Sequence, residues 1–99
     1  MCIRDRAYWV NVYHAIHDEE KLAAYAKIAG PAVQANGGKF LIRGMPAKAY
    51  EAGMMQRTVV VEFESLDAAI ACHDSPAYQE ALAALGDGVT RDMRVVEGL

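Results

Sequence analysis

Ninety-nine residues carrying 10 basic and 13 acidic side chains, net charge −3, make enough chain for one domain and too little for two. The acidic balance and the scatter of Lys and Arg argue against a nucleic-acid groove, and no apolar run reaches the length that spans a bilayer. The apolar share of 54% lies slightly above that of an average soluble domain, which suits a small protein hiding one face against a partner.

Residues 1–6, Met-Cys-Ile-Arg-Asp-Arg, fit neither a signal peptide nor the pattern that follows. They read as a translated cloning adapter, so the expected domain is 7–99. Cys2 then carries no redox argument, and Cys72 alone suits a reduced, cytoplasmic chain.

Residues 7–13 are rich in aromatic and β-branched side chains and predict the first strand. Asp18 offers a helix N-cap, with Glu19 and Glu20 where the helix dipole favours negative charge. Leu22, Tyr25, Ala26 and Ala29 follow at helical spacing. Gly30-Pro31 predicts a break, with a second helical piece over 31–35, and Asn36-Gly37-Gly38 a stop. Residues 39–43 read as the second strand, 47–51 as a short extension and 56–64 as the third strand. Ser65 caps a helix whose inner face carries Leu66, Ala69, Ile70 and His73. Asp74-Ser75-Pro76 breaks and restarts it, with Tyr78, Ala81, Leu82 and Leu85 on the new inner face. Residues 92–97 predict the last strand.

The order β-α-β-β-α-β, with right-handed crossovers, predicts a ferredoxin-like α+β domain. It has a four-stranded antiparallel sheet, the first and third strands central and the helices on one face. The other face needs a cover. Alternation assigns Val59, Val61 and Phe63, Phe40 and Ile42, and Tyr8, Val10 and Val12 to the helix side. Trp9, Asn11, Tyr13, Leu41, Arg43, Val60 and Glu62 are left opposite, a set too apolar for water and too polar for an ordinary core. Two such faces packed as a homodimer would enclose a pocket at the sheet–sheet interface, suited to a small aromatic or acidic molecule. Trp9, Asn11, Tyr13, Arg43 and Glu62 are the expected ligand-binding residues. Arg43 and Glu62 either form a buried ion pair that fixes the dimer or leave Arg43 free for an anion.

Tyr8-Trp9-Val10, the segment from Gly37 to Gly44, Val60-Val61-Glu62-Phe63, Asp74-Ser75-Pro76-Ala77-Tyr78-Gln79 and Val96-Glu97-Gly98 together resemble a bacterial family, domain of unknown function 1330. The resemblance spans nearly the whole chain. It implies the dimeric α/β-barrel arrangement, in which ferredoxin-like sheets pack face to face. Related members of that superfamily include cofactor-independent monooxygenases, isomerases and haem-binding enzymes, so fold alone does not give function. The family often has a tyrosine where this chain has His73 and an arginine near Leu85.

Among candidates for chemistry, His73 is either a hydrogen-bonded packing residue or a general base acting with Arg43 and Glu62. His14, His17 and Asp18 do not make a closed metal set. Cys72 reads as a buried hydrophobe. Gly37-Gly38 precedes a strand instead of opening a helix, so it is no phosphate loop. No cofactor motif and no activated-serine elbow is evident. The expected function is small-molecule binding by a homodimer, with a cofactor-independent isomerase or oxygenase as the alternative.

Overall fold

The computed structural model describes residues 6–99; apart from Arg6, the expected adapter-derived tail lies outside them. Strand β1 (Ala7–Ile16) leads to helix α1 (Glu19–Ala35), strands β2 (Lys39–Gly44) and β3 (Thr58–Phe63), helices α2 (Leu66–Asp74) and α3 (Pro76–Leu85), and strand β4 (Val89–Glu97). All pairings are antiparallel, in the order β2-β3-β1-β4. The central strands are therefore β1 and β3, and the fold is ferredoxin-like α+β, as the order of elements predicts. No helix among the described residues is long and apolar enough to cross a membrane.

Local chemistry sets the boundaries. Asp18 Oδ1 accepts from the backbone N–H groups of Glu20 and Lys21, Ser65 Oγ from that of Ala68 and Ser75 Oγ from that of Tyr78. Each bond satisfies an otherwise orphaned first-turn donor. Gly37 leaves α1 at φ +84°, a conformation that costs glycine least. At Gly38 a side chain would collide with Val33 and Phe63, so the chain enters β2 tight against the core.

Two expectations fail in this region. Gly30-Pro31 does not break α1, which runs unbroken through Pro31. Pro31 and Lys27, whose carbonyl loses its helical donor, are both exposed, so water can serve that carbonyl. Residues 47–51 form no regular element; the whole of 45–57 is loop and turn.

The largest correction concerns the faces of the sheet. Trp9, Asn11 and Tyr13 are buried at 2%, 5% and 2% exposure beneath the helices, while Tyr8, Val10 and Val12 lie half-buried on the open face. Both alternating sets of β1 are bulky, and polar atoms made the wrong one look external. Two of those atoms find partners: Trp9 Nε1 donates to the Ala69 carbonyl at 3.0 Å, and the Tyr13 hydroxyl accepts from Arg91 on β4 at 3.1 Å. The Trp9 ring also packs on Phe63 and Tyr78 at centroid distances of 5.0 and 4.9 Å. In β2 the register shifts between Phe40 and Ile42, so Phe40 opposes Val61, Ile42 opposes Val60 and Arg43 opposes Val59. This bulge turns Ile42 to the open face and Arg43 to the helix face, because one extra residue reverses alternation beyond it. On β3, Val59, Val61 and Phe63 are buried as predicted. On α2 the buried residues are Ala69 and Cys72, and Ile70 is 44% exposed.

Candidate functional site

α1 packs chiefly on α3, and small residues, Ala26, Ala29 and Gly30, face the sheet where larger ones would fill the gap. A cavity of about 70 Å³ results, floored by Trp9, Asn11, Tyr13, Val59 and Val61 and closed by Tyr25, Phe40, Arg43 and Arg57. Since one water needs about 10–15 Å³ on this scale, the space holds several waters or one small ring.

The charges on its wall have one sign. Arg43 lies over the Phe40 ring at 4.9 Å, Arg57 immediately precedes β3, and no acidic side chain lines the cavity. Among the described residues neither guanidinium has a carboxylate partner. Asn11 Oδ1 is buried with no donor.

A second cationic group lies behind two of the wall rings. Arg91, directly across β4 from Tyr13, donates to the hydroxyls of Tyr13 at 3.1 Å, Tyr25 at 3.2 Å and Tyr78 at 3.3 Å. Its guanidinium also lies 4.8 Å from the Tyr25 ring centre. Tyr25 and Tyr78 share a hydroxyl–hydroxyl bond of 2.6 Å. Burial first, then the neighbouring Tyr25 hydroxyl, pushes the Tyr78 phenol well above its ordinary range, so it stays protonated and neutral. Three phenols and a guanidinium with no carboxylate among them make a donor-rich cluster.

Of the residues singled out from sequence, Trp9, Asn11, Tyr13 and Arg43 share one cavity, but on the helix face and within one chain. The pocket expected from stacking two sheets had them on the opposite face. Glu62 is separated from them. It points to the open face, opposes Lys39 rather than Arg43, and accepts hydrogen bonds from Arg6 Nη1 at 2.8 Å and from the Tyr8 hydroxyl at 3.3 Å. The expected Arg43–Glu62 pair therefore does not form. His73, in the last turn of α2, contacts Asp74 Oδ1 through Nδ1 at 3.1 Å and packs on Tyr78 and Trp9. It is not on the cavity wall. His17 Nε2 meets Thr90 Oγ1 at 2.8 Å, and burial pushes the Cys72 thiol up to about 11. Tyr25, Arg57, Tyr78 and Arg91 were missed because each belongs to a different element. Tyr25, Tyr78 and Arg91 meet Tyr13 only in the tertiary structure, and Arg57 reaches the cavity from the loop before β3.

The family pattern of domain of unknown function 1330 matches residues 6–99, and the chain belongs to that family. Its structure is similar to that of a protein of unknown function from Rhodopseudomonas palustris, at 18% identity and TM-score 0.76, covering 97% of this chain and 84% of the other. A dimeric ferredoxin-like protein of unknown function from Thermobifida fusca matches at 19% identity and TM-score 0.64, covering 95% and 92%. SnoaB, a cofactor-independent oxygenase from Streptomyces nogalater, matches at 16% identity and TM-score 0.61, covering 96% and 94%. At these identities the likeness is one of fold. No curated protein matches the chain by sequence.

Proposed function

We propose that this protein is a homodimer in which each chain binds a small organic anion in the cavity between α1 and the sheet. The observation that carries the reading is the cavity wall itself: aromatic and valine surfaces with Arg43 and Arg57 and no acidic side chain. Such a wall favours a compact apolar body bearing a carboxylate or similar group. A hydrogen bond to a charged group is worth roughly 1.5–3 kcal/mol, so the arginines set the affinity while the apolar walls select the shape. The donor-rich cluster around Arg91 adds positive potential behind Tyr13 and Tyr25.

The dimer reading rests on the open face of the sheet. Ile42 and Val96 are 52% and 48% exposed there, next to half-buried Tyr8, Val10, Val12 and Val60, and the Thermobifida fusca protein of this fold is described as dimeric. A second copy is the occupant such a surface fits best. With Arg43 on the helix face, Glu62 on the open face and His73 off the cavity wall, the three lack a common centre, and the site is read as one of binding without a reaction.

Thermal unfolding with benzoate and with neutral benzyl alcohol tests the anion site. Benzoate is expected to raise Tm logarithmically with its concentration once that exceeds Kd, and benzyl alcohol to leave it unchanged. Gly30→Leu, whose first side-chain carbon meets nothing within 4 Å, is expected to fill the space and abolish the benzoate effect while the protein stays folded. Equal responses to the two compounds, or a benzoate response that survives Gly30→Leu, would overturn the assignment.

A further inference from the structure

Among the described residues Asn11 carries the one buried side-chain oxygen to which no protein group donates. It is 5% exposed, and its Oδ1 is buried without a donor. Leaving a buried amide oxygen unpaired is unfavourable, and an aliphatic side chain at this strand position would carry no such penalty. None of the neighbours donates to it. Trp9 spends its indole N–H on Ala69, and the residues paired with Asn11 across the sheet are Val59 and Met93, neither of which has a side-chain donor of use.

The register also places Asn11 relative to Arg43. Both pair with Val59, one from each side. They therefore stand on one row of the helix face, two strand spacings or about 10 Å apart along the backbone, with the Val59 side chain between them. Asn11 is the buried end of that row and exposed Arg43 its outer end.

Building on the reading of the cavity as an anion site, we infer that its ligand is a planar hydroxy acid. The hydroxyl donates to Asn11 Oδ1, and the carboxylate meets Arg43 at the mouth. A carboxylate at the inner end would set acceptor against acceptor, and an unsubstituted ring would leave the Asn11 oxygen unpaired. A flat ring between the two groups fits the Val59 floor and the Phe40 and Tyr13 rings that share this wall. The arginines attract acids in general, and Asn11 chooses among them.

Calorimetric titration of the full chain with 4-hydroxybenzoate and with benzoate tests this. The wild-type protein is expected to bind 4-hydroxybenzoate about three- to tenfold more tightly, the effect of one added hydrogen bond. Asn11→Leu is expected to bind the two acids equally, and Arg43→Met to weaken both by a common factor. Equal affinities in the wild-type protein, or a preference that persists in Asn11→Leu, would overturn the hydroxyl assignment and leave the anion site standing. Binding of neither acid would overturn both. The comparison of two probes on the wild-type protein decides the matter even where Asn11→Leu does not fold.

Discussion

Two adjacent rows of the same sheet behave as if they belonged to different proteins. On the helix face, Arg43, Val59, Asn11 and Met93 stand side by side across the four strands; one residue along, on the open face, stand Ile42, Val60, Val10 and Arg94. The first row keeps a buried amide oxygen without a protein donor, at a cost to folding that a ligand can offset, and an exposed cation at its edge. The second is three aliphatic side chains and one exposed arginine paired with Asp92, a surface that asks only to be covered. Polar groups placed where water is scarce indicate recognition, and plain apolar ones placed where water is plentiful indicate association.

Substitutions on each side test that contrast. The largest effect belongs to the helix-face core: Phe63→Ala, at a residue 1% exposed, is expected to lower stability by about 3–5 kcal/mol in urea unfolding. A loss below about 1 kcal/mol would place the core elsewhere. On the open face, Val60→Lys is expected to leave the chain folded and to weaken the dimer at least about a hundredfold in sedimentation. The contact would bury an unpaired ammonium in each copy, and an uncompensated buried charge costs several kcal/mol. A Val60→Lys protein still dimeric at micromolar concentration would remove this face from the interface.

Arg91→Met keeps much of the volume but leaves the Tyr13, Tyr25 and Tyr78 hydroxyls without their shared donor. It is expected to cost about 1–3 kcal/mol in the same unfolding assay, and no loss would make the cluster incidental. The smallest effect has the opposite sign. Asn11→Leu is expected to raise stability by about 1 kcal/mol, because it removes an unpaired buried oxygen, the pattern of a residue kept for binding at the expense of stability. A clear loss of stability would mean that Asn11 serves the fold.

The fold was legible because its signals are local. Asp18, Ser65 and Ser75 announce three helix starts, Gly37-Gly38 announces the entry to β2, and the Val59, Val61, Phe63 alternation announces the buried side of β3. The site was half legible. Trp9, Asn11, Tyr13 and Arg43 emerge as one group from their chemistry, yet they were assigned to the wrong face. In β1 the Tyr8, Val10, Val12 set looks more like a core than the polar-tipped set that occupies it, and choosing between them requires knowing what the helices offer as partners. In β2 the bulge beside Leu41 has no glycine or proline to mark it, and it alone decides which way Arg43 points. Two errors of face carried Arg43 and the β1 residues together, while Glu62, on a strand assigned correctly, was left behind. Arg91 lay one residue outside the predicted last strand, and its tie to Tyr13 exists only in the register. Pro31 shows the limit of a local rule: a proline in an exposed turn of a well-packed helix does not end it.

The consecutive residues Val59, Val60 and Val61 give the most direct test of which face binds, since the first and third line the cavity and the second points away. In methyl-labelled protein titrated with 4-hydroxybenzoate, the Val59 and Val61 methyl resonances are predicted to shift with saturation while those of Val60 and Val10 stay in place. Shifts confined to Val60, Val10 and Val96 would put the ligand on the open face and contradict the account.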